Sequence, residues 1–142
     1  MKPSPACIDL VKSFEGFRPH AYYCPAGVLS IGYGTTEYVE LGDTVTEEEA
    51  CELLRKDVQE AADAVDDLVD VELTQSQYDA LCSFIYNVGR SAFSNSTMLK
   101  MLNRGASAME IAPQFDRWIK ANGQVLPGLT RRRAAEREMF ES

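Results

Sequence analysis

The strongest constraint on how this chain can fold is a change of texture close to residue 45. From Gly16 to Gly42 the sequence is cut by Gly16, Pro19, Pro25, Gly27, Gly32 and Gly34 into short runs such as Val28-Leu29-Ser30-Ile31. Runs of that length between turn residues suit a small antiparallel sheet. Beyond it the apolar residues take up a helical period. Thr46-Glu47-Glu48-Glu49 has the form of a capping box, in which Thr46 caps the helix and Glu49 reaches back. Ala50, Leu53, Leu54, Val58, Ala61, Ala62 and Val65 then keep the period to about Leu68. Thr74-Gln75-Ser76-Gln77 is a second capping box, opening an apolar helix through Leu81, Phe84, Ile85 and Val88 that Gly89 closes.

The remaining segments read as helices too. Residues 5–14 place Ile8, Leu10, Val11 and Phe14 on an inner face. A helix is expected from about Asn95 to Asn103, stopped by Gly105. Ser107 with Glu110 starts another that carries Phe115, Trp118 and Ile119 to about Asn122-Gly123, with Pro113 placed to break it. A last helix is expected from about Thr130 to Phe140. The sum is an α+β chain, and 142 residues suit one domain over 1–142. Within it, residues 14–45 would form a β-containing lobe. Residues 70–142 and the N-terminal helix would form a helical lobe. The helix from Thr46 would join the two, leaving a cleft where a polymer can lie.

Charge is unevenly placed. The net charge is -8, yet residues 37–79 hold 15 acids and 2 bases while the rest holds 7 acids and 12 bases. The acidic stretch reads as a solvated helix face, and the basic remainder suits an anionic polymer. Overall acidity argues against a nucleic-acid partner. No stretch nears the roughly 20 apolar residues of a membrane span, and the N-terminal residues lack the continuous apolar core of a secretory signal. Free thiols are therefore expected at Cys7, Cys24, Cys51 and Cys82, three of them as small buried hydrophobes and Cys24 in a Pro/Gly-rich loop.

The residue with the clearest chemical promise is Glu15. It ends the first helix between Phe14 and Gly16-Phe17, a setting that solvates a carboxyl poorly and favours proton donation. Around it stand Phe14-Glu15-Gly16-Phe17-Arg18, Ala21-Tyr22, Gly27 and Ser30-Ile31-Gly32-Tyr33-Gly34-Thr35-Thr36. Eight residues separate Glu15 from Cys24, and five separate Cys24 from Ser30. This pattern resembles the active-site signature of phage lysozymes of the T4-like and lambdoid endolysin type, glycoside hydrolase family 24. The resemblance continues through Phe84-x-x-Asn87-x-Gly89, Trp118, Gly123–Leu129 and Arg132-Arg133, so it spans nearly the whole chain.

The resemblance implies a lysozyme-like fold and a muramidase, cutting the β-1,4 bond between N-acetylmuramic acid and N-acetylglucosamine in bacterial peptidoglycan. Glu15 would be the general acid and Cys24 would hold the position of the second catalytic residue. Ser30 would stand for a threonine that places the attacking water. Asn87, Arg132, Arg133 and Tyr33 would support the site, one arginine reaching Glu15. Thr35 stands where many relatives carry a histidine. Some relatives also regulate lysis by trapping the cysteine at position 24 in a disulfide. No metal or cofactor is implied, nor any stable membrane association. A monomer is expected, held in the host cytoplasm until a phage holin opens the way to the wall. Two other classes compete. With His20 as the only histidine, a zinc peptidase or a Cys24–His20 peptidase is poorly supported. A lysozyme-like module that binds glycan without cutting it would explain the departures at Ser30 and Thr35, but has no need of Glu15.

Overall fold

A computed structural model describes residues 1–142. The first helix, α1 (Pro5–Glu15), starts with a proline, whose missing N–H costs nothing in the first turn. Ser4 precedes it, and both its backbone N–H and its hydroxyl donate to the carboxylate of Asp79. Gly16 ends the helix at φ 71°, a left-handed value that favours glycine, and the chain leaves at once into the sheet. Glu15 is thus fixed at a helix end by a glycine stop.

Strands β1 (Arg18–Tyr23) and β2 (Leu29–Gly32) pair antiparallel, with Tyr22 opposite Ser30 and an irregularity between Arg18 and Tyr22. The chain then folds back over β1: Ala21 N–H donates to Asp43 O and Val45 N–H to Pro19 O. The long helix α2 (Glu47–Leu68) begins with the expected capping box, both reciprocal bonds being present between Thr46 and Glu49. Thr74 and Gln77 do the same for α3 (Gln75–Val88). Residues Tyr78 to Ile85 of α3 are all buried, which is only possible for a helix surrounded on every side. It packs against α1, α2 and the C-terminal helix. Phe84 stands at the centre, edge-on to Phe115 and Trp118 at 5.4 Å and to Phe93 at 6.4 Å.

Beyond α3 lie α4 (Arg90–Ser94), α5 (Thr97–Asn103) and α6 (Ala108–Ile111). A 3-10 segment (Ala112–Arg117), a hairpin of β3 (Lys120–Ala121) and β4 (Gln124–Val125), and α7 (Pro127–Glu141) complete the chain. The fold is α+β, as the sequence predicts, with differences in the last third. The expected helix through Phe115, Trp118 and Ile119 stops at Ile111, because Pro113 supplies no N–H and the chain tightens into a 3-10 turn. Asn122-Gly123 is not a helix stop but a hairpin turn, with φ of 53° and 79° at the two residues. The last helix starts at Pro127, three residues early, with proline again in its first turn. The short α4 has no counterpart in the expected elements. All four cysteines are free; Cys7 and Cys82 are buried and Cys51 packs partly buried against the core. No helix is long and apolar enough to cross a membrane.

Candidate active site

Three helices converge on Glu15. Its side chain, 24% exposed, accepts a 2.8 Å bond at Oε1 from Nη1 of Arg132 on α7. Arg132 is itself buried and lies 5.8 Å from the ring centroid of Phe14. Its other nitrogens are also engaged. Nε donates to Glu136 Oε2 at 3.2 Å, and Nη2 donates to the Ser83 carbonyl at 3.2 Å. One planar guanidinium therefore ties α1, α3 and α7 together, a task that suits arginine's fixed fork of donors.

Arg133, one residue on, turns the other way. Its Nη2 donates to Asn87 Oδ1, and its guanidinium lies 5.0 Å from the Phe84 ring centroid. Nε stands 3.0 Å from Glu136 Oε1, an ion pair off line for a hydrogen bond, since neither atom has a hydrogen-bond partner. Burial is the largest influence on Arg133 and brings its pKa down to about 10, so the group stays charged at neutral pH. Of the two arginines, then, Arg132 reaches Glu15 and Arg133 holds Asn87.

A cleft of about 660 Å³ opens beside Glu15. Gly34, Thr36, Tyr86 and Asn87 line it, with a wall of Glu37, Asp57 and Glu60 and a lone cation, Arg90. Gly34 is at φ 94°, and a Cβ there would stand 3.0 Å from Glu15 Oε2 and 3.3 Å from the Tyr86 hydroxyl. Glycine is required both by the backbone and by the closeness of the carboxyl. Tyr86 donates its hydroxyl to the Tyr33 carbonyl at 2.9 Å. Burial first, and then the nearby Glu15 charge, push its phenol well above the ordinary range, so it remains a neutral donor. Tyr33 is buried, packs its ring 5.6 Å from Phe17 and donates to Glu47, so it supports the site from beneath through its carbonyl.

Cys24 and Ser30 belong to the β1–β2 hairpin and do not line the cleft beside Glu15. Cys24 closes the turn: its N–H donates to Val28 O at 2.9 Å and its carbonyl accepts from Gly27 N–H at 2.8 Å. Its thiol is only partly covered. The Val28 backbone is the strongest influence on it and lowers its pKa; the backbone at Ala26 and Gly27 and the Ser30 hydroxyl act in the same direction, and burial opposes them. The turn thus favours thiolate more than an isolated cysteine would. Ser30 is buried and its hydroxyl lies 3.1 Å from the Val28 carbonyl. Thr35 is buried as well and donates to Asp57 Oδ2 at 2.8 Å, so the residue in the expected histidine position pairs with α2. Desolvation raises the Asp57 carboxyl above the usual range, against the effect of the Thr35 bond.

Sequence reasoning did not identify Tyr86, Asp57, Ser83 or Glu136. Only Glu136 had a readable signal, standing four and three residues after the two arginines on one helix.

Against known proteins, the phage lysozyme family model matches residues 12–136. The chain is 44% identical over 137 residues to an endolysin of Acyrthosiphon pisum secondary endosymbiont phage 1, covering 94% of this chain and 93% of that protein. It is 46% identical to an endolysin of Bacillus phage B103, covering 99% of this chain but 54% of that longer protein. Among solved structures, the muramidase domain of SpmX from Asticaccaulis excentricus superposes with a TM-score of 0.92 at 44% identity, covering 99% of this chain and 98% of that one. The Glu15 signature, the cleft beside it and these likenesses agree, and the chain belongs to the phage lysozyme family.

Proposed function

We propose that this chain is an endolysin of glycoside hydrolase family 24 that cleaves the β-1,4 bond between N-acetylmuramic acid and N-acetylglucosamine. As a phage lysozyme with endolysin and muramidase relatives it is a glycosidase, and its substrate is the peptidoglycan of the bacterial wall. The observation that carries the finer reading is Glu15: a largely covered carboxyl at the edge of a cleft, held by a buried arginine. Glycoside hydrolysis needs a proton on the leaving oxygen and a second group facing the sugar. Glu15 supplies the proton. Arg132 orients the carboxyl and stabilises the carboxylate left after transfer. In this reading the glycan reaches past the Glu15 cleft to the hairpin, where Cys24, its pKa lowered by the turn backbone, balances the positive charge that develops on the sugar and Ser30 helps to hold the attacking water. Asn87, fixed by Arg133, lines the cleft as a contact for the glycan.

The residues 14–45 and the helical remainder act as two lobes of one domain, with the glycan lying between them. The enzyme works as a monomer, accumulates in the host cytoplasm and reaches the wall when a holin opens the inner membrane. The support built around Glu15 argues against a module that only binds glycan. Peptidoglycan digestion with product analysis tests the reading. New reducing sugar ends, absent with Glu15→Gln, are expected. Release of free peptide termini, or unchanged reducing ends with Glu15→Gln, would overturn it.

A further inference from the structure

Glu136 is a fully buried carboxylate that the mechanism above leaves without a task. It lies on α7 between the two arginines, 3.2 Å from Arg132 Nε and 3.0 Å from Arg133 Nε, and accepts the Ser83 hydroxyl from α3 at 2.6 Å. Burying a carboxylate is costly unless it is paired and hydrogen-bonded. In formal charge the cluster Glu15, Arg132, Glu136, Arg133 alternates in sign and sums to zero; burial pushes the Glu136 carboxyl up, and Arg133, Arg132 and the Ser83 hydroxyl act against it. Arg132 has two carboxylates at once, Glu15 on Nη1 and Glu136 on Nε. Its single charge is divided between them.

We propose that Glu136 is a positioning residue for the cleavage reaction, fixing Arg132 through Ser83 and sharing its charge so that Glu15 can still hold the proton it must deliver. The proposal rests on Glu15 being the general acid. Without Glu136, Arg132 would have Glu15 as its only carboxylate and Ser83 as its only other anchor, so its charge would no longer be divided. The groups facing Glu15 are Arg132 from α7, Tyr86 from α3 and, along the cleft, Asp57 and Glu60 from α2, Glu37 from the loop before it and Arg90 from α4. Those facing Glu136 are Arg132 and Arg133 on its own helix and Ser83 on α3. Glu15 and Glu136 are the two carboxylates paired with Arg132, and of these only Glu15 lines the cleft.

The test uses the whole chain and soluble glycan strands, with reducing ends measured from pH 4 to pH 9. Glu136→Gln keeps the shape and removes the charge. It is expected to lower kcat about tenfold with KM within about twofold, and to displace the alkaline arm of the profile toward lower pH by about half a unit or more. Because Glu136→Gln leaves an excess buried cation and can fail to fold, Glu136→Gln is also placed in Arg133→Met and compared with Arg133→Met alone. This pair removes one charge of each sign. It is expected to regain thermal stability while keeping the loss in kcat and the displaced arm, since Arg132 still lacks its second carboxylate. Glu136→Asp, which restores the charge, should return the alkaline arm toward its original place. If kcat and the alkaline arm recover together with stability in the double variant, Glu136 is structural and the proposal falls. If Glu15→Gln itself remains active, the reading of the acid fails first, and the two failures are told apart.

Discussion

On the helical side of the site, Glu15 is held from α1, α3 and α7 at once, through a cluster in which Arg132, Arg133 and Glu136 are all buried. On the hairpin side, Cys24 and Ser30 are held by one turn of a two-stranded sheet, with backbone carbonyls and amides as their nearest polar neighbours. The acid depends on charges taken out of water, which are unforgiving of change. The thiol is partly exposed and supported by dipoles, where water can replace what a substitution removes. A site built this way concentrates its sensitivity at Glu15 and leaves its hairpin tolerant.

Substitutions can break or sharpen that contrast. The largest effect is expected from Glu15→Gln, a loss in kcat of about a thousandfold, equal to about 4 kcal/mol of barrier. Steady-state release of reducing ends measures it. Next, Arg132→Gln strands Glu136 and Glu15 and should cost about 3 kcal/mol of stability in denaturant unfolding. Gly34→Ala places a methyl against the Glu15 carboxyl at a left-handed backbone position, and should cost about 1–2 kcal/mol in the same measurement while also lowering activity. An unchanged Gly34→Ala variant would show that the Glu15 carboxyl can yield to a methyl placed against it.

On the hairpin, Cys24→Ala should leave folding almost untouched and lower kcat only about tenfold, roughly 1.4 kcal/mol. The smallest effect is expected at Asp57. Its folded carboxyl titrates above the ordinary range, so the folded chain holds that proton more tightly than the unfolded one. Raising the pH from the ordinary carboxylate value through the folded one then removes stability, and Asp57→Asn removes that penalty. Thermal unfolding should therefore show Asp57→Asn gaining on the natural chain as pH rises from about 3.5 to 7, by only a few tenths of a kcal/mol, because the group is partly solvated.

Much of this was legible in the sequence, and the reasons are local. Glu15 could be found because a glycine stop and neighbouring aromatics mark its place along the chain. The capping boxes at Thr46 and Thr74 announced α2 and α3, since cap and partner lie three residues apart. Which arginine reaches Glu15 was not legible. Adjacent residues on a helix point about 100° apart, and the choice depends on how α7 is rotated after its start at Pro127. Tyr86 and Asp57 were hidden for a related reason: they join the cleft only because α2 and α3 pack beside α1. Asn122-Gly123 carried a true turn signal, and the hairpin it makes was missed because strands of two residues leave no alternating pattern to read.

The contrast between the two sides is tested most directly by kcat/KM for Glu15→Gln and Cys24→Ala on the same soluble glycan, at the same pH. A loss at Glu15 about a hundredfold greater than the loss at Cys24 is expected. Equal losses, or a greater loss at Cys24, would contradict a site whose firm centre is the acid on α1.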